Sequence, residues 1–380
     1  MQKLLALSVA ALAGVFLQRP PPMPGLTASA QLAAVYDTIL HARFDQARAE
    51  LAGSCPPAPA ESCLALAEVV LWWEIQLDPD NRHLDKALES AAATAMAAAE
   101  RWTKREPHRA EAWFYLAGAH APLEQWRILR GQKLAAARDA IGLKSALDRT
   151  LTLDPSLQDA YFGIGLYHYY AAVAPAALKM LRWLLFLPGG DREAGLREMQ
   201  RARDGGALLR GEADYQLHWL YLWYEHQPAR ALELLRGLDA RYASNPIFLA
   251  RIAEVERDSL HDHAASATAW QTLLDRANAK QVAAAEMTTV RARIGLAQEF
   301  LAMSDARRAI DLVRSTADAH PTAPYGAEAL AHFVLGRAYE AIGDRDRAAI
   351  EWRTAIATTP SDDPHNIRSR ARAASARVRR

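Results

Sequence analysis

The sequence predicts an all-α chain built as a solenoid of stacked helical hairpins, and three observations lead there. Hydrophobic residues make up 51% of the 380, against only 19 Gly and 19 Pro, which is enough apolar material for a large core and too few breakers for a loop-rich chain. Alanine runs such as Ala91–Ala93 and Ala97–Ala99 favour helix, because alanine loses no side-chain entropy there, and strand-like period-two alternation is almost absent. Finally, the chain repeats itself over windows of about 34 residues, the length of one helical hairpin.

The amino terminus reads as a targeting segment. Lys3 precedes an apolar run from Leu4 to Leu17, and a Pro-rich spacer leads to Ala28-Ser29-Ala30 before Gln31. A positive n-region, a short h-region and an A-x-A site describe a secretory signal peptide over 1–30, so a periplasmic or secreted location is expected. The stretch from Gln18 to Thr27 is long for a cleavage region, which leaves an uncleaved anchor as the alternative. Cys55 and Cys63, the only cysteines, flank a short Pro-rich loop. In an oxidising compartment they are expected to form one structural disulfide; two thiols are too few for a metal site and too far apart for a redox pair.

The clearest repeat runs from Ala329 to Asp362. Counting Ala329 as position 1, Leu335, Gly336, Tyr339 and Gly343 fall at 7, 8, 11 and 15, and Ala348, Trp352, Ala355 and Pro360 at 20, 24, 27 and 32. Small residues at Gly336 and Ala348 allow two helices to cross closely, Gly343-Asp344 turns the chain, and Pro360 ends the second helix. Counting from Val290, Leu296, Phe300, Ala309, Val313 and Pro321 occupy positions 7, 11, 20, 24 and 32. Looser units begin at Trp113 and Tyr161, with weak echoes at Phe44-Asp45-Gln46-Ala47 and Gln76-Leu77-Asp78-Pro79. This pattern resembles the tetratricopeptide-repeat (TPR) superfamily, which implies a right-handed solenoid, here of about six to eight hairpins over 31–367.

The middle carries a second resemblance. Tyr161-Phe162-Gly163-Ile164-Gly165-Leu166, the apolar stretch after Pro175, and Gly189-Gly190-Asp191-Arg192-Glu193-Ala194-Gly195-Leu196 follow one another in an order similar to the TPR-domain-39, or inclusion-body-clearance, family. That resemblance covers roughly 110–260 and implies a TPR-like scaffold; members of the family are intracellular, whereas this chain is expected to be exported. Within it, Leu178–Leu187 reads as a helix buried between repeats, with contact to a membrane or partner as the alternative. Gly189-Gly190-Asp191-Arg192 lacks the preceding strand and the Gly-Lys-Ser/Thr ending of a phosphate loop and reads as a turn capped by Asp191.

Charge and motifs exclude several function classes. Residues 31–367 carry a net charge of −7, whereas 368–380 hold six Arg and no acid. An acidic body with a basic tail is not the footprint of a nucleic-acid binder. His261-Asp262-His263 reads as a solvated turn, and no His/Asp/Glu set at i, i+4 is found to complete a metal site. No cofactor motif and no nucleophile elbow is present; paired carboxylates in a closed pocket would be the mark of an enzyme or a small-molecule binder. In stacked TPR hairpins the family resemblance implies that positions 2, 5, 9 and 12 of each first helix line the concave face. Here they give Phe114, Phe162, Leu166, Tyr169, Gln216, Leu220, Trp223, Phe333, Arg337 and Glu340. The expectation is therefore a non-catalytic scaffold that binds a protein or peptide in an aromatic groove, unless an extra helix of the same chain covers that groove. The alternative is a peripheral envelope protein touching lipid through Leu178–Leu187 or the tail.

Overall fold

The computed structural model describes residues 25–173 and 189–378. Among these residues it contains seventeen α-helices and no strand. They are α1 (Ser29–Leu40), α2 (Phe44–Ser54), α3 (Ala60–Leu77), α4 (Asp85–Arg105), α5 (Ala110–Leu129), α6 (Lys133–Leu153), α7 (Ala160–Val173), α8 (Arg192–Gly205) and α9 (Arg210–Trp223), followed by α10 (Pro228–Arg241), α11 (Pro246–Asp258), α12 (His263–Asn278), α13 (Ala285–Ala302), α14 (Ala306–Asp318), α15 (Ala327–Ala341), α16 (Arg345–Thr358) and α17 (Ile367–Val378). Every described helix packs on the next, and α3–α5, α13–α15 and α15–α17 also touch across one intervening helix. Neighbour-on-neighbour packing of this kind is the mark of a solenoid.

The C-terminal hairpin shows how local sequence sets the packing. Gly343, at φ 80°, turns the chain, and Asp344 caps α16 by accepting from the backbone N–H of Arg347 at 3.0 Å. A Cβ on Gly336 would lie 2.5 Å from Nε1 of the fully buried Trp352, so only glycine lets the two helices meet there. The middle uses a similar device. Cβ atoms on Gly165 and Gly195 would each lie within 2.7 Å of the other's carbonyl oxygen, which brings α7 and α8 into backbone contact. Asp191 caps α8 through Ala194 N–H at 2.9 Å, as the turn reading expects. Leu178–Leu187 lies outside the described residues.

Unlike an open solenoid, this one is filled by its own amino-terminal helices. On α3, Trp73 packs 4.9 Å from Tyr215 of α9 and 6.0 Å from Phe248 of α11. Its carboxyl end continues along the same wall: Arg291 of α13 donates to the Leu77 carbonyl, Asp78 accepts from Tyr325 N–H at 3.0 Å, and Asp80 meets His365 at 3.5 Å. All these partners lie on, or just before, alternate helices, so the odd-numbered helices form the inner layer and α3 runs along it. Eleven of the fourteen residues from Leu64 to Leu77 are apolar, and a helix apolar over most of its circumference is one that is buried. Among the described residues no helix is long and apolar enough to cross a membrane.

Helix α1 locks onto the same wall. Tyr242 donates to Asp37 at 2.6 Å, Asn245 to the Leu40 carbonyl at 2.9 Å, and Ser244 to the His41 carbonyl at 2.8 Å. Cys55 and Cys63 are bridged, with Cα atoms 6.4 Å apart, and the bridge closes the α2–α3 loop.

Residues beside both expected boundaries pack into the fold. Gly25 and Thr27 belong to the fold: Gly25 N–H donates to Asp154 at 3.1 Å, and Thr27 donates to the buried Glu111 from its backbone at 2.7 Å and its hydroxyl at 2.9 Å. A boundary after Ala30 would cut the first turn of α1 and strip these donors. The Arg-rich segment from 368 is a docked helix as far as Val378, not a free tail. Ile367, Ala371 and Ala374 are buried at helical spacing, and Arg368 donates to the carbonyls of Thr359 and Pro360 at 3.0 and 3.2 Å.

Candidate functional site

The ten residues expected to line a groove all fall on odd-numbered helices, as the repeat geometry implies, but most do not face open space. Phe162, Tyr169 and Leu220 are buried together with Met199 and Leu217 between α7, α8 and α9. Tyr169 is fully enclosed, its hydroxyl donating to Glu225 at 2.5 Å. Phe114 is buried against Tyr115. Phe333 is buried and lies 4.5 Å beneath the guanidinium of Arg370 on α17. Gln216 is buried and donates to Gln125 and Glu212. Leu166 and Glu340 are half-buried. Only Trp223, 62% exposed and stacked on Trp219, and Arg337 present themselves to solvent. The expected aromatic groove is largely filled: Phe114, Phe162, Tyr169 and Phe333 are core, because α3, α8 and α17 occupy the faces that repeat geometry alone leaves open.

What the inner wall does leave is a chamber of about 680 Å³ at the carboxyl half. Its wall includes Gln76, Asp78 and Asp80 at the end of α3, Arg251, Glu254 and Arg257 on α11, Arg291, Ile294 and Gln298 on α13, Pro324 and Tyr325 on the loop before α15, Arg337 on α15, and His365 and Arg370 near α17. Three acids thus face five arginines. Each acid is engaged: Asp78 by the Tyr325 backbone, Asp80 with His365, and Glu254 with Arg251 at 2.5 Å. Arg257 pairs with Asp258 at 2.7 Å.

The remaining cations are under-compensated. Burial lowers the pKa of Arg291, whose guanidinium donates to a backbone carbonyl. Burial also lowers that of Arg370, and the charge of Arg337 pushes it down further. Among the described residues neither Arg337 nor Arg370 forms an ion pair. Asp363 acts on Arg370 only in part against burial and Arg337, and two neighbouring guanidiniums without an ion pair make a place that favours an incoming anion.

Of the residues expected from sequence, only Arg337 belongs to this chamber wall. The signal for others was present: from Val290, positions 2, 5 and 9 are Arg291, Ile294 and Gln298, and all three line the chamber. His261-Asp262-His263 is a capped turn, Asp262 accepting from Ala265 N–H at 2.9 Å and His263 pairing with Glu299 at 2.8 Å. Sequence reading passed over Glu328 and His332, which do stand at i, i+4 on α15.

Among the described residues the fold and chamber together define a class: an α-solenoid of helical hairpins whose inner wall is packed by its own amino-terminal helices and leaves an arginine-lined chamber. No protein-family model matches the sequence, and no curated protein matches it. Among solved structures the chain is similar to the APC/C hetero-tetramer Cut9–Hcn1 at 13% identity and a TM-score of 0.42, covering 86% of this chain and 58% of that one. It is also similar to yeast Tom70 at 12% identity and a TM-score of 0.41, covering 93% and 82%. A third likeness is to the P58(IPK) TPR domain at 14% identity and a TM-score of 0.21, covering 83% and 98%. What makes this chain a solenoid is the packing of each helix on the next.

Proposed function

We propose that this protein is an exported, non-catalytic TPR-type scaffold that holds an acidic segment of a protein or peptide partner in its arginine-lined chamber. The observation that carries the reading is the pair Arg337 and Arg370 on the chamber wall: their charges repel, neither forms an ion pair among the described residues, and Asp363 offsets the burial of Arg370 only in part. A partner carboxylate there would make charge-assisted hydrogen bonds and relieve the repulsion. Export is supported by the apolar leader and by the Cys55–Cys63 bridge, which suits an oxidising compartment. A closer kinship with the TPR-domain-39 family rests on the order of motifs from Tyr161 to Leu196 in the sequence.

The test uses three labelled peptides of equal length, one Glu-rich, one neutral and one Lys-rich, titrated with the full chain in fluorescence anisotropy. The acidic peptide should bind selectively and more weakly as salt rises. Arg337→Glu with Arg370→Glu should weaken it at least tenfold. Equal binding of the neutral peptide, or indifference to the charge reversal, would refute the reading.

A further inference from the structure

The α14–α15 connection carries a cluster with the chemistry of a transition-metal site. His320 lies in the loop, and Glu328 and His332 follow on α15. Spacing of four residues puts Glu328 and His332 on one face of that helix. One ligand atom from each of the three residues lies within 4.8 Å of the others. His320 Nδ1 already meets Glu328 Oε1 at 2.7 Å.

The second observation is His332 itself, only 7% exposed. Its Nδ1 is held by Glu351 Oε2 on α16 at 2.7 Å. Its Nε2 is buried and has no hydrogen-bond partner among the described residues. A buried ring nitrogen without a partner is costly, and native structures rarely leave one so. A carboxylate on the far nitrogen is the arrangement that fixes the tautomer of a metal-bound histidine and turns its free nitrogen toward the ion.

We propose that His320, Glu328 and His332 bind one divalent transition-metal ion, zinc by preference, with Glu351 as the positioning residue behind His332. Two imidazole nitrogens and one carboxylate oxygen suit zinc; magnesium and calcium take all-oxygen sets. Tetrahedral bond lengths would set the ligand atoms about 3.3 Å apart, an adjustment that the exposed loop residue His320 can supply by swinging. A bound ion would tie that loop to α15. The same loop carries Pro324 and Tyr325 on the chamber wall, so the ion would act as a clip beside the chamber. The metal site does not depend on what the chamber binds.

The experiment is isothermal titration of the chelator-stripped full chain with Zn²⁺, and separately with Mg²⁺. One Zn²⁺ per chain should bind saturably, and Mg²⁺ should not compete. His320→Ala alters an exposed group and Glu328→Gln a half-buried one at the same size, and each should weaken Zn²⁺ at least tenfold. Glu351→Gln should weaken it about 10–100-fold without changing the stoichiometry. The other histidines provide the control: binding that survives both His320→Ala and Glu328→Gln lies elsewhere and overturns the assignment. So does the absence of saturable Zn²⁺ binding by the wild-type chain.

Discussion

Glu124 sits beside Asp139 in the α5–α6 hairpin, and burial, assisted by the charge of Asp139, pushes its carboxyl up to about 7. The folded chain therefore holds a proton there that the unfolded chain releases near 4.5. The sign follows from linkage: this contribution to stability is complete below about pH 4.5, declines as pH rises toward 7, and is gone above it. Melting temperatures from pH 5 to 8 should fall in the wild type, and Glu124→Gln should remove part of that fall. A wild type and variant that run parallel across the range would exclude the protonated state of Glu124. At the same scale, Thr27 donates twice to Glu111, which is otherwise satisfied by Arg109 at 2.6 Å. If a leader is removed, the mature chain should begin upstream of Gly25, so that Glu111 keeps these donors. Intact mass of the exported protein checks this, and a species starting at Gln31 would contradict it.

At the scale of the element, the last hairpin is the most fully sequence-determined part of the molecule. Gly336→Leu would drive a side chain into the Trp352 ring, and overpacking of this kind costs about 1–3 kcal/mol. Hydrogen exchange should accelerate first in α15 and α16, and unchanged exchange over 329–362 would show the contact to be unimportant. Gly336, Gly343, Ala348 and Trp352 were legible because each does its work within 34 residues of chain. Helix α17 was not, because four arginines dominate its polar face while its buried stripe is a sparse Ile367, Ala371 and Ala374. Repeat periodicity marked which helix faces point inward, and so found Arg337 and could have found Arg291. It carried no information about what fills the space they face. That depends on α3, whose partners on α9, α11 and α13 lie well over a hundred residues away. The metal-ligand cluster was half visible as Glu328 and His332. Its third member, His320, joins only when the α14–α15 loop folds back.

The closure by α1 and α3 changes how the whole molecule should respond to damage. In an open solenoid stability is nearly a sum over repeats and neighbouring interfaces, so a local defect stays local. Here Trp73 on α3 is buried against Tyr215 and Phe248 and donates to Glu212 at 3.1 Å. Glu212 is itself buried, also accepts from Tyr36 of α1 at 3.0 Å and from Gln216 at 3.2 Å, and has its pKa raised chiefly by burial. One small cluster thus joins α1, α3, α9 and α11, elements separated by about half the chain. Trp73→Ala removes the ring at its centre and one donor to the buried carboxyl, a loss of about 3–5 kcal/mol. Because the lost contacts belong equally to α9 and α11, amide exchange should accelerate there as much as in α3. Denaturant unfolding should then divide into separable transitions, since the contact that couples the two halves is weakened. Exchange that rises only across α2 to α5, with α9 and α11 as protected as before, would mean that the amino-terminal helices merely rest on the inner wall and that the solenoid stands without them.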